Sequence, residues 1–246
     1  MQEQGTLTAE GARPAQIASW THLAGFLAIM AALLALGFYA QHAGGGSGAG
    51  SGQLAGHGYA IQIYLTALVM DWLLLYFCWA GVHRRGGNLW GLAGGRWKRW
   101  CDVLSDFAVM LPFWAVWEGA AYGVHLLLGS DSVKTVDSLL PKSLVEVLVW
   151  IATCITAGIC EEMAFRGYLQ RQFHALTGNI AWAILLQGLV FGIAHGYQGW
   201  RNVVVISVLG VLYGVLAAWR KNLRANILSH AWADVWEGWL KFVVFR

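Results

Sequence analysis

Charge is what this sequence lacks. Lys, Arg, Asp and Glu make up only 12% of the 246 residues, against about 25% in a soluble domain. Apolar types make up 58%, and the mean hydropathy is +0.53. That balance excludes a water-soluble fold and predicts an all-α, polytopic transmembrane helix bundle. Nucleic acid is excluded as a partner, because the net charge is only +3 and its cations fall mostly in loops. The four cysteines, Cys78, Cys101, Cys154 and Cys160, form no CxxC pair and lie in or beside apolar segments. They read as small buried apolar residues, not as a disulfide framework. Cys160 has no nucleophile motif around it and is set aside. A charged leader is missing too. The first apolar run, from Ile17, follows a polar, acid-containing stretch and exceeds the apolar core of a signal peptide, so it reads as a retained helix.

What is present is a succession of apolar segments. Residues 1–16 form a polar tail, and residues 17–142 hold three helices, at about 17–40, 59–82 and 103–128. Residues 143–246 hold four more, at about 144–173, 180–195, 203–219 and 225–244. Seven helices are counted, and an eighth appears if a long segment is broken. A Gly/Ser-rich loop at 44–58 contains no Lys or Arg. The next loop carries Arg84, Arg85, Arg96, Lys98 and Arg99. By the positive-inside rule that loop is cytoplasmic, which puts the N-terminus in the cytoplasm as well. Arg220, Lys221 and Arg224 form a second basic loop on the same side. The fifteen tryptophans, many near segment ends, fit interfacial belts.

Chemistry concentrates after residue 143. Between Leu144 and Cys160 the only charged residue is Glu146, and then Glu161, Glu162 and Arg166 arrive together. Each charge near a bilayer centre costs about 2.5–3.5 kcal/mol on insertion scales, so such residues mark function. Glu162 and Arg166, at i,i+4, can pair on one helix face, while Glu161 points about 100° away. One carboxylate is thereby neutralised and the other left to face a cavity. Gly188, Gly192 and Gly196 form a small-residue ridge for close helix packing, as do Gly210 and Gly214. His195 follows the first ridge. His230 and Asp234 share a face at i,i+4. Two imidazoles, a carboxylate and an Asp on three helices can converge on one polar pocket, where a Glu and a His deprotonate a water and a second His stabilises the oxyanion. Asp102 and Asp106 read as capping or interfacial residues. Asp71 and Glu118 are intramembrane acids that read as structurally paired rather than substrate-binding.

Three segments in order, Glu161-Glu162-Met163-Ala164-Phe165-Arg166-Gly167-Tyr168, Phe191-Gly192-Ile193-Ala194-His195 and His230-Ala231-Trp232-Ala233-Asp234, resemble the CPBP intramembrane proteases. These are the CAAX prenyl endopeptidase and bacteriocin-processing (Abi) group. The resemblance covers roughly residues 143–240, with Asp234 standing where many members have Asn. It implies that Glu161 and His195 activate the water, that His230 and Asp234 line the oxyanion side, and that Glu162, Arg166 and Phe191 support the site. Asp234 is either neutral and donating like an amide, or ionised and turned toward His230; the first is preferred because the pattern accepts Asn.

The family has been described both as metalloproteases and as glutamate-type proteases. No HExxH is present, so the usual zincin pair is missing, and the reading adopted is free of metal and cofactor. Zinc or another divalent metal held by Glu161, His195 and His230 is the alternative. The expected function is an intramembrane endopeptidase in a bacterial or archaeal cell membrane. Its partners are membrane lipid and a peptide or protein substrate, lipidated or not. Two other classes are carried beside it: a non-catalytic binding or immunity protein of the same fold, and a transporter using Asp71 and Glu118 as a relay. No inverted repeat favours the transporter.

One depth does not match. His230 lies only about 9 Å along its helix from the basic loop at 220–224, whereas Glu161 and His195 lie roughly 20–25 Å from the 174–179 turn. Either the helix carrying Glu161 protrudes or breaks near Gly167, or the last helix begins deeper.

Overall fold

The computed structural model of the chain describes residues 14–43, 57–129 and 140–244. Most of the predicted polar tail and of the Gly/Ser loop lies outside the described residues. Eight α-helices follow in order: α1 (Trp20–Ala43), α2 (His57–His83), α3 (Leu89–Ala93), α4 (Trp100–Leu128), α5 (Leu144–Thr177), α6 (Ile180–Ala194), α7 (Trp200–Arg220) and α8 (Arg224–Val244). Among the described residues there is no strand. The five-residue α3 is an addition to the predicted set and is too short to cross a bilayer. Ala60–His83 of α2 and the whole of α4, α5 and α7 are long and apolar enough to span one, and α1 and α6 carry shorter apolar stretches. The chain is an integral membrane helix bundle.

Local chemistry sets the helix boundaries. The Ser143 hydroxyl accepts from the Glu146 amide at 3.3 Å and starts α5. Gly178, at φ +70°, closes α5, and the Asn179 side chain then accepts from the Ala181 and Trp182 amides to start α6. Asp102 accepts from the Lys98 and Arg99 amides, the capping role read from the sequence.

The glycine ridges bring α6 and α7 together backbone to backbone. A Cβ on Gly210 would lie 2.7 Å from Gly188 Cα, and one on Gly192 would overlap Ser207 Oγ. Gln187 Nε2 then donates to Gly210 O at 2.7 Å across the same seam.

The two basic loops meet at one end of the bundle. Asp106, fully buried, accepts from Arg220 Nη2 (2.7 Å), Arg224 Nε (2.9 Å) and Trp97 Nε1 (2.8 Å), so it ties α4 to the α7–α8 turn. The Leu223 amide donates to Ala93 O at 2.9 Å. Arg171 reaches Gly91 O and Leu92 O at 2.8 and 3.0 Å.

The depth mismatch resolves here. The α7–α8 turn does not lie level with the end of α5, because a Cβ on Gly167 would touch both Leu223 and Leu92. From Gly167, α5 runs on to Thr177, about 15 Å past the turn. Its winding also changes: Glu162–Leu169 is a π-helix.

Candidate active site

The π-helical stretch begins at Glu162, directly after Glu161, and π segments recur at functional sites because they re-aim side chains within a helix. Glu162 is 0% exposed and surrounded by donors. Arg166 Nη1 lies 2.7 Å and His230 Nδ1 2.9 Å from its Oε1, while Asn226 Nδ2 lies 3.1 Å from its Oε2. A carboxylate with an arginine and an amide on it only accepts, so His230 carries a proton on Nδ1. The i,i+4 pairing of Glu162 with Arg166 is as read from the spacing.

Arg166 is held as tightly. Its Nη2 donates to Gly210 O at 3.3 Å, and its guanidinium lies 4.3 Å from the Phe191 ring centre and 5.2 Å from that of Tyr213. The His230 ring stacks on Tyr213 at 5.5 Å and meets the edge of Phe191 at 6.1 Å. Rings on two sides and Glu162 on Nδ1 fix this imidazole. Its Nε2 is thereby aimed between Glu161 Oε2, at 3.7 Å, and Asp234 Oδ2, at 3.6 Å.

Glu161 is the opposite of its neighbour. Its side chain keeps 17% exposure, and its buried Oε2 accepts no hydrogen bond. Two adjacent carboxylates therefore have separate fates, one saturated and one open. Asp234 is the more solvated, with 38% of its side chain exposed.

His195 ends α6 with non-helical backbone, and its Nδ1 lies 2.8 Å from Phe191 O. A carbonyl only accepts, so the proton is on Nδ1 and Nε2 holds the lone pair of the neutral ring. The Phe191 ring stands edge-on to both imidazoles, 4.8 Å from His195 and 6.1 Å from His230. Among the described residues no hydrogen bond or ion pair joins His195 to Glu161. Glu161, His230 and Asp234 are thus gathered directly, and His195 is linked to His230 through the Phe191 ring that touches both.

A fourth acid joins from α2. Asp71 lies on the stripe of Tyr64, Leu75, Cys78 and Val82 that this helix buries, and its carboxylate is within charge–charge reach of Glu161, His230 and Asp234. Tyr197, on the short turn Gly196–Gln198, is in reach of Glu161, Asp71 and Asp234. Glu118 takes no part in this cluster: its carboxylate accepts from Trp114 Nε1 at 3.0 Å. Asn226 and Tyr213 were not singled out from the sequence. Asn226, His230 and Asp234 recur every fourth residue, which was a usable signal for the first; Tyr213 had none.

Residues 143–236 match the family model for type II CAAX prenyl endopeptidase, Rce1-like. This region is an Rce1-like domain of the CPBP family. That family is one of intramembrane CAAX-type proteases. The Rce1-like domain holds Glu161, Glu162, Arg166, Phe191, His195, His230 and Asp234, whereas Asp71 lies outside it. The match covers less than half of the chain. No curated protein and no solved structure matches the sequence.

Members of the family have been read as metalloenzymes, so the donor set bears on a metal. Among the described residues, no group of three or more His, Cys, Asp or Glu is arranged to hold a metal ion. Glu161, His195 and His230 are not gathered into such a group here.

Proposed function

We propose that the chain is an endopeptidase that hydrolyses a peptide bond of a membrane-associated protein or peptide, with Glu161 as general base. The observation that carries this is the contrast between the two glutamates. Glu162 is saturated by three donors, while Glu161 Oε2 has none and faces His230 Nε2.

Glu161 takes a proton from the attacking water, and His195 Nε2, the free nitrogen of its ring, accepts from the same water. The carbonyl oxygen becomes an oxyanion facing His230, whose protonated form presents Nε2–H, with Asp234 beside it. Collapse of the tetrahedral intermediate breaks the C–N bond. Glu161 passes its proton to the leaving amine and returns to the carboxylate. Glu162 and Arg166 act through His230, as positioning residues.

N-terminal proteomics of membranes from cells carrying wild type or Glu161→Gln tests this. New N-termini should appear with wild type and vanish with the variant at equal protein level. Identical sets of N-termini would leave the chain as a non-catalytic member of the fold.

A further inference from the structure

A second polar cleft, of about 230 Å³, opens at the basic end of the bundle. It lies between the stretch Arg166–His174 of α5, the start of α6 and the α7–α8 turn. Arg166, Gln170, Arg171, His174, Lys221 and Asn222 supply its polar lining, and among the described residues no carboxylate lines it. Arg166 is neutralised by Glu162. Arg171 and Lys221 remain as uncompensated charges, with His174 beside them. One donor of this lining, Arg166 Nε, is buried and has no hydrogen-bond partner among the described residues, and buried polar atoms are rarely left so. Lys221 adds a further observation. Among the described residues it is the one non-glycine with positive φ, at +54°, a conformation costly for a lysine side chain. A basic recess at helix ends, level with the other arginines of this end, is the setting in which membrane proteins hold anionic headgroups.

We infer that this cleft binds the phosphate group of an anionic phospholipid, with Arg171 and Lys221 as its cations and His174 as a further donor. The residues around Glu161 and His230 are not its ligands. Arg166 is shared by both, bonded to Glu162 and lining the cleft, so an occupied headgroup site would bear on the Glu162 pair. Free phosphate has the same chemistry and is the second source.

Thermal unfolding of the full chain in nanodiscs tests this, compared between phosphatidylcholine alone and phosphatidylcholine with phosphatidic acid. Inorganic phosphate added to the phosphatidylcholine discs forms a third arm. The variants are Lys221→Asn, which removes the charge with a residue tolerant of positive φ, His174→Gln, and the control Lys98→Gln at the same end. Phosphatidic acid should raise the wild-type midpoint by about 3 °C or more. That rise should shrink in Lys221→Asn and His174→Gln and persist in Lys98→Gln. A matching rise with inorganic phosphate, lost in the same two variants, supports the site with free phosphate as ligand. No rise in any arm, or one equally sensitive to Lys98→Gln, overturns it. The readout is stability, so the result is independent of whether the chain cleaves peptides.

Discussion

His230 Nδ1 donates to Glu162 Oε1 at 2.9 Å, and that single bond decides what His230 Nε2 can do. With Nδ1 committed, only Nε2 is left to face Glu161 and Asp234, at 3.7 and 3.6 Å. The second glutamate thus orients the imidazole.

Glu162→Gln should therefore lower stability as well as activity. It removes the charge opposite Arg166, which is fully buried, and loss of one partner of such a pair costs about 3–5 kcal/mol. Glu161→Gln should leave unfolding unchanged within about 0.5 kcal/mol while abolishing cleavage. Thermal or denaturant unfolding of both purified variants in one detergent checks the contrast, and equal stability losses would show the two glutamates not to be divided in role.

Asp71→Leu should trade function for stability. A carboxylate in a membrane helix costs about 2.5–3.5 kcal/mol at the centre, and sites of this kind lose stability to keep activity. The variant should unfold at higher temperature and cleave more slowly. Higher stability with undiminished cleavage would remove Asp71 from the site.

Asp234→Asn separates the two roles open to that residue. Its carboxylate is 38% exposed and faces His230 Nε2, which favours an ionised group pairing with the imidazolium over a neutral donor. Replacement should lower the rate at neutral pH and allow partial recovery in mild acid, where His230 is protonated without a counter-charge. Full activity at neutral pH, with a high-pH decline removed, would instead assign the neutral donor role. Rate profiles of wild type and variant over pH 5–9 distinguish them.

Chelation by EDTA or phenanthroline should leave cleavage intact, and metal analysis of the purified protein should find no stoichiometric zinc. The ground for this is that, among the described residues, no three His, Cys, Asp or Glu are arranged to hold a metal ion. Loss of activity restored by zinc would instead make Glu161, His195 and His230 its ligands.

Gly210→Val should disrupt the α6–α7 seam. The new side chain would start 2.7 Å from Gly188 Cα, beside the carbonyl that takes Arg166 and Gln187. Overpacking costs about 1–3 kcal/mol, so a drop in unfolding temperature is expected; an unchanged one would show that the ridge has slack.

The sequence was most informative where function conflicts with the membrane. Glu161, Glu162 and Arg166 in an apolar run, and His230 and Asp234 at helical spacing, announce themselves because lipid selects against them. The glycine ridges announce α6 and α7 as a pair for the same kind of reason: their spacing has a packing meaning. Tyr213 was not legible in this way, and Asp71 was legible as an intramembrane acid but not as a neighbour of Glu161. Their part in the site depends on which helices adjoin, and no local pattern states that. His195 was legible as a residue but not as an orientation, because a helix-ending backbone turns its ring back to Phe191 O. The depth of His230 misled for a similar reason, since helix lengths do not say that α5 overruns its neighbours.

The π-helical stretch Glu162–Leu169 has one more consequence. A π turn accommodates a residue that an α turn would not, so the helical stretches on either side keep a common facing around one extra residue. Removing one residue there, for example Ala164, would let the helix rewind as a regular α-helix, unbroken and still apolar, and Gln170 and Gln172 would keep their neighbours. The change would be confined to the stretch itself: Arg166 would move from the fourth to the third residue after Glu162, out of line with the carboxylate that also takes Asn226 and His230. The span and its far end would survive while the cluster at its middle lost its alignment.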